Sequence, residues 1–173
     1  QVDVDFDGEG TRSFLAGTKP SVQGQLHAFQ VARDGRLTEH RLVQLPETNA
    51  GYKYKGMDGV PSMPLGIWAH PVEPLLYVGF VTRNELGVFS FDRDREMTFM
   101  GSVANSGQDI CWLLTNKKGT RLYTVNNLPR SDKDDKAATV STYDISGARA
   151  VKPVEISRLQ LPHPGEWFIN NRM

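Results

Sequence analysis

Hydrophobic and polar positions along this chain recur in three blocks, each about 45 residues long. Every block opens on an apolar stretch, crosses a short polar turn, and continues into an apolar-aromatic step, a second loop and another apolar run. The first block holds Val4-Asp5-Phe6, Gly10-Thr11-Arg12, Ser13-Phe14-Leu15 and Gln25-Leu26-His27-Ala28-Phe29-Gln30-Val31. The second holds Gly66-Ile67-Trp68-Ala69-His70-Pro71, Leu76-Tyr77-Val78 and Leu86-Gly87-Val88-Phe89-Ser90-Phe91. The third holds Ile110-Cys111-Trp112-Leu113-Leu114, Leu122-Tyr123-Thr124 and Thr139-Val140-Ser141-Thr142-Tyr143-Asp144. Trp68 and Trp112 lie 44 residues apart, and Tyr77 and Tyr123 lie 46 apart. No segment carries the 3.6-residue periodicity of an amphipathic helix. Strands repeated at this spacing are the pattern of β-propeller blades.

The turns divide each block into four strands. In the first, 2–6 and 13–18 are joined by Asp7-Gly8-Glu9-Gly10, residues that tolerate positive φ, and 25–32 turns through Asp34-Gly35 into 37–45. The second has strands at 66–70, 75–81, 86–92 and 96–103, with Asp92-Arg93-Asp94-Arg95 as its last hairpin turn. The third has strands at 109–115, 121–126, 138–144 and 153–161, and the mixed charges of Asn127 to Lys136 mark a solvated hairpin tip. The expected architecture is all-β: a partial β-propeller of about three and a half four-stranded blades. Its blades run 2–45, 64–103 and 107–161, residues 162–173 begin a further blade, and 46–63 form an inter-blade loop. That loop has no period, and a loop of such length rises over one face of a propeller or makes a surface excursion.

Closed propellers have four to eight blades, so the remainder of the ring is expected from a second chain, a second copy, or sequence beyond this one. An open ring leaves an edge strand and an apolar blade face uncovered. The chain also opens within a strand pattern at Val2, which suits a fragment or a processed product of a longer protein.

Charge removes some function classes. Twenty acidic and 20 basic residues balance to zero, which leaves no electrostatic footprint for nucleic acid or an anionic membrane. No apolar run approaches the 18 residues of a membrane span. The single cysteine, Cys111, excludes an internal disulfide and fits both a reducing compartment and an exported protein. The expectation is a soluble protein, with a cytoplasmic and an exported location both open.

Two segments carry a more specific likeness. Pro64-Leu65-Gly66-Ile67-Trp68-Ala69-His70-Pro71 followed by Leu75-Leu76-Tyr77-Val78-Gly79, and Asn105-Ser106-Gly107, Cys111-Trp112 and Gly119-Thr120-Arg121-Leu122-Tyr123-Thr124-Val125-Asn126, resemble the blades of lactonase-type propellers. That family contains 6-phosphogluconolactonase and the fungal muconate-lactonizing enzymes, and the likeness covers residues 1–160. It implies a seven-bladed ring and, in some members, opening or closure of a sugar or carboxylic lactone. It transfers no catalytic residue, because no established acid–base set matches positions here.

Lactone hydrolysis needs an activated water, a stabilised carbonyl oxygen and a proton for the leaving ring oxygen. His70, at the end of an innermost strand before Pro71, fits a general base, and it fits equally a turn-bonding histidine. Arg83 fits the electrostatic role, and Asn84, Asn126 and Trp112 fit substrate binding at the same mouth. Asn127 is also the kind of residue that turns favour. Cys111 lacks an adjacent basic residue and reads as a packing group. Trp68 and Trp112 occupy equivalent blade positions, which points to a shared packing role. His27, His40 and His163 show no ligand spacing, and neither a His-x-His, a Cys-x-x-Cys nor a calcium loop is present. No cofactor is expected and no metal site within this chain; a divalent ion with ligands from the rest of the ring stays open. Two function classes follow: a lactonase-like hydrolase of a small sugar or carboxylic lactone at the channel mouth, and a non-catalytic binding or scaffold module completed by another chain.

Overall fold

The computed structural model describes residues 2–5, 25–43, 45, 64–92, 96–128 and 138–161. Strands β1 (Val2–Asp5), β2 (Gln25–Val31) and β3 (Leu37–Val43) form a first sheet in the order β1-β2-β3. Strands β4 (Pro64–Ala69), β5 (Leu75–Phe80), β6 (Glu85–Phe91) and β7 (Met97–Ala104) form a second, in the order β4-β5-β6-β7. Strands β8 (Gln108–Thr115), β9 (Arg121–Leu128), β10 (Thr139–Asp144) and β11 (Val154–Gln160) form a third, in the order β8-β9-β10-β11. All pairings are antiparallel. Among the described residues, the only helical pieces are two 3-10 turns, at Val81–Arg83 and Gly147–Ala150, and no helix is long and apolar enough to cross a membrane.

The second and third sheets are the four-stranded meanders that the alternation predicts. The first differs. β1 pairs directly with β2, Val2 opposite Ala28 and Asp5 opposite Gln25, so no strand lies between 2–5 and 25–31. The expected strand at 13–18 lies outside the described residues, as do the loop at 46–63, most of the charged tip between Asn127 and Lys136, and the further blade at 162–173.

The sheets stack face to face, and β5 shows why. Leu75-Leu76-Tyr77-Val78-Gly79-Phe80 has no charged or amide side chain, and all six positions are buried. A strand that is apolar on both faces must be covered on both. Leu75 and Tyr77 join Leu86 and Val88 against Ile110, Leu113, Leu122 and Tyr143 of the third sheet. Leu76, Val78 and Phe80 join Phe89 against Leu26 and Leu45 on the other side. Fully burying each such side chain is worth about 1.5–3 kcal/mol. The Tyr77 hydroxyl donates to the Ala150 carbonyl at 3.0 Å, so the polar end of this buried ring is satisfied where it crosses into the third sheet. Phe80, Phe89 and Phe99 complete the layer, with centroids 5.2–6.4 Å apart.

Among the described residues, the third sheet is covered on one face only. Leu122, Thr124 and Asn126 of β9 are fully buried, while the intervening Tyr123 is 38% exposed. Leu114 stands opposite Tyr123, Trp112 opposite Val125, and Leu159 opposite Val140. This outward row exposes Trp112 at 61%, Leu114 at 52% and Leu159 at 65%.

One charged cluster closes the far end of the third sheet. Asp144 accepts hydrogen bonds from the Ser146 hydroxyl at 2.7 Å and the Ser146 N–H at 3.0 Å. It also pairs with Arg149 and with Arg121, the latter at 3.0 Å. The Ser146 side chain first, then its N–H and the two guanidinium groups, hold the carboxyl down to about 2. Its value in the unfolded chain is about 3.9. The anchor therefore stabilises the fold above about pH 4 and is lost as pH falls from there toward 2. Near-ultraviolet circular dichroism on acid titration should show a component in this window that Asp144→Asn abolishes; superimposable curves would contradict it.

Candidate functional site

The strands run between two ends of the stack, and polar residues gather at both. At the end where β5 passes into β6, Asn84 caps the 3-10 turn in the left-handed region, φ 50 and ψ 49, where asparagine is tolerated better than most residues. It is 2% exposed. Its Nδ2 donates to Gln108 Oε1 at 2.5 Å, its Oδ1 accepts from Asp109 N–H at 2.8 Å, and its carbonyl accepts from Asn105 N–H at 2.8 Å. Asn84 is thus a clamp between the second and third sheets. Arg83, also buried, pairs with Glu85 at 2.6 Å and lies over the Phe80 ring, 5.2 Å from its centroid.

Asn126 belongs to the same end and is fully buried. Its Nδ2 donates to Thr139 Oγ1 and to Ser141 Oγ, both at 3.0 Å, and its Oδ1 accepts from Thr124 Oγ1 at 3.4 Å. Asn105 continues the network. It donates to Tyr143 Oη at 2.9 Å and accepts from Gly107 N–H at 2.7 Å. Both amides are consumed in cross-strand bonds, which fits a buried polar network satisfied throughout. Burial, and secondarily Glu155, keeps the Tyr143 phenol protonated.

A half-buried carboxyl, Asp109, also stands at this end. It is the second residue of the inner strand β8 and has φ 61, a conformation that costs a non-glycine residue about 1–3 kcal/mol and concentrates at functional sites. Burial pushes its carboxyl above the usual carboxylate range, and a hydrogen bond from Asn127 partly opposes that rise. Asn127 also bonds Cys111, whose thiol is pushed up to about 11, by burial first. Cys111 is therefore a protonated packing group at neutral pH, not a nucleophile. Asn127 Oδ1 is buried without a hydrogen-bond partner among the described residues.

His70 sits at the opposite end of the stack. It is 8% exposed. Nδ1 accepts from the N–H groups of Val72 and Glu73 at 3.2 and 2.8 Å, and Nε2 donates to the Gly119 carbonyl at 3.1 Å. Both nitrogens are occupied, and a strand of six residues, roughly 20 Å, separates this end from Arg83. The expected catalytic pairing of His70 with Arg83 therefore does not form. His70→Ala should lower stability by about 1–3 kcal/mol, since it leaves the Gly119 carbonyl and two turn amides without their partner. Urea unfolding checks this, and an unchanged midpoint would contradict it.

The two tryptophans do not share a role. Trp68 is 39% exposed and donates from Nε1 to Thr115 Oγ1 at 2.9 Å. Trp112 stands on the open face of the third sheet and meets none of Arg83, Asn84 and Asn126 through a hydrogen bond among the described residues. Of the residues chosen from sequence, the structure gathers Arg83, Asn84 and Asn126 at one end and leaves His70 and Trp112 apart. Asp109 was missed, and its pairing with Asn127 across 18 positions leaves no local signal. A cavity lined in part by His70 lies away from the titratable carboxyl. Acid–base work needs a proton-exchanging group, and both His70 nitrogens are spent on backbone groups.

No known family's sequence profile matches the chain, and no curated protein matches it in sequence. Solved structures do. The periplasmic gluconolactonase of Pseudomonas aeruginosa superposes with a TM-score of 0.61 at 16% identity, over 84% of this chain and 38% of that one. A provisionally named 6-phosphogluconolactonase from Bacteroides fragilis gives 0.60 at 15% identity, over 93% of this chain and 38% of that one. A functionally unknown protein from Desulfotomaculum acetoxidans gives 0.57 at 12%, over 81% and 36%. The chain thus spans little more than a third of the length of these structures. Its stacked antiparallel meanders and their superposition on such structures make it a partial β-propeller with the fold of the lactonase-type propellers.

Proposed function

We propose that this chain belongs to a lactonase-like hydrolase acting on a small sugar or carboxylic lactone at the end of the blades that carries Asp109. The observation supporting it is Asp109 itself: a carboxyl in a left-handed backbone position, desolvated, and oriented by Asn127. In this reading Asp109 takes a proton from water as the water oxygen bonds to the lactone carbonyl carbon. The acyl C–O bond then breaks, and the proton returns to the departing ring oxygen. Asn127 Oδ1 accepts a substrate hydroxyl, and Arg83 supplies positive charge one residue from the Asn84 clamp. The proposed ring completion by a second chain or second copy supplies the other walls. Turnover of a panel of sugar and carboxylic lactones by the assembled protein tests this. Asp109→Asn should lose turnover while His70→Ala, at the far end, keeps it. No turnover across the panel, or full turnover in Asp109→Asn, would remove the proposal.

A second reading is favoured by the open face of the third sheet. Trp112, Leu114, Tyr123 and Leu159 form an apolar row of the kind that marks an interaction surface. In this reading the chain is a non-catalytic binding or scaffold module completed by another chain. Co-purification with a second polypeptide, in a sample without lactone turnover, is the outcome that selects it.

A further inference from the structure

At the His70 end, where residues of all three sheets converge, lies a cavity of about 900 Å³. This is at the upper end of the 300–1,000 Å³ typical of small-molecule sites. Its walls include Phe29 of β2, Trp68 of β4, and Phe91 and Met97 at the ends of β6 and β7. Trp68 is not a loose surface residue. The Thr115 hydroxyl holds its indole N–H, which fixes the ring as a platform, while 39% of the residue stays exposed. His70 closes the floor with both nitrogens spent on backbone groups, so the site is built to bind rather than to react.

The charge at its rim is uneven. Asp92 Oδ1 is occupied by the Glu96 N–H in its own turn, and Glu96 pairs with Arg41 at 2.5 Å. Lys117 lines the cavity and, among the described residues, has no carboxylate partner. An aromatic wall with the Lys117 cation at its mouth is complementary to a flat apolar body carrying an anionic group.

We propose that this cavity is a second ligand site, separate from the Asp109 end, for a planar aromatic molecule bearing a carboxylate or sulfonate. The aromatic body stacks on Trp68 between Phe29 and Phe91, and the anion pairs with the Lys117 ammonium.

The probe is 8-anilinonaphthalene-1-sulfonate, whose naphthalene and sulfonate match the two parts of the site. Its fluorescence on titration should show one saturable site, with energy transfer from Trp68, and binding should weaken as salt rises. Lys117→Glu, an exposed substitution that leaves the fold intact, should weaken binding about tenfold or more, since it replaces attraction by repulsion. Trp68→Phe should reduce affinity and energy transfer together, and Trp112→Ser should leave both unchanged. Asp109→Asn should bind the probe as the parent does, which separates this site from the proposed hydrolytic one. Affinity that ignores Lys117→Glu, binding that does not saturate, or binding removed by Trp112→Ser would each overturn the proposal.

Discussion

Gly66→Val should lower stability by about 3 kcal/mol or more, among the larger penalties for overpacking a core. Gly66 lies on β4 where the inner strands of the second and third sheets approach. A Cβ there would sit well inside van der Waals contact with the Cys111 carbonyl and crowd the Leu113 side chain. The obstacle is backbone, so no rotamer change relieves it. The inner strands would have to separate, which would uncover Ile110, Leu113, Leu75 and Tyr77, all of them 6% exposed or less. Gly79 provides the comparison. Its nearest neighbours are the Ile110 carbonyl at 3.0 Å and side-chain atoms of Ile110 and Leu113 at 3.3 and 3.4 Å, so the shift a methyl group demands there is much smaller. Gly79→Ala should therefore cost less than Gly66→Ala, with valine at 66 the worst of the three. Urea midpoints order the series. A Gly66→Val protein that unfolds at the parent midpoint would mean that the two sheets do not meet along β4 and β8.

That junction illustrates which parts of the fold are readable from sequence. Strands β4 to β11 fall within two residues of where the apolar runs and turns put them, because each run has one physical cause. Leu75 to Phe80 is apolar at every position since it is covered on both sides. Leu122, Thr124 and Asn126 alternate with Tyr123 since only one side is covered. The first sheet is the exception. Strand positions at 2–6, 25–32 and 37–45 match β1, β2 and β3 closely, but β1 lies directly against β2, with no strand between them. Alternation says which side chains share a face; it does not say which strand lies alongside. Pairing is decided by burial and turn geometry.

The site was less legible, for a different reason. Histidine, arginine and asparagine are chosen alike for catalysis and for bridging backbone groups. His70 bridges the Gly119 carbonyl and two turn amides, Asn84 joins the Gln108 side chain to the Asp109 N–H, and Asn126 ties together the hydroxyls of Thr124, Thr139 and Ser141. Residue type and strand position are identical in both roles, and only the partners, such as Gly119 for His70, tell them apart. Asp109 hides in the opposite way. Its left-handed φ and desolvation are tertiary properties, and nothing in Gln108-Asp109-Ile110 announces a turn. The nearby Asn105-Ser106-Gly107 looks like the whole of the connection.

Asp109→Asn should reduce lactone turnover by about 10²–10⁴-fold, the usual worth of a positioned acid–base group, without destabilising the protein. Asparagine keeps the size of the side chain and its tolerance of φ 61, so the backbone is not disturbed. The thermodynamic sign separates catalysis from structure. Burial raises the folded carboxyl above its unfolded value of about 3.9. Its protonated form therefore supports the fold at low pH, and that contribution is lost as pH rises through the folded value. At neutral pH the ionised group is a burden, and the neutral amide should leave stability equal or higher. Activity has the reverse dependence, because the base must be ionised. The ascending limb of kcat/KM should lie above the usual carboxylate range. Asn127→Ala should move it higher still, since the lost hydrogen bond had favoured the carboxylate. A variant at 109 that unfolds earlier at neutral pH, with a pH profile that Asn127→Ala leaves in place, would make the residue a structural one and return the chemistry to another part of the ring.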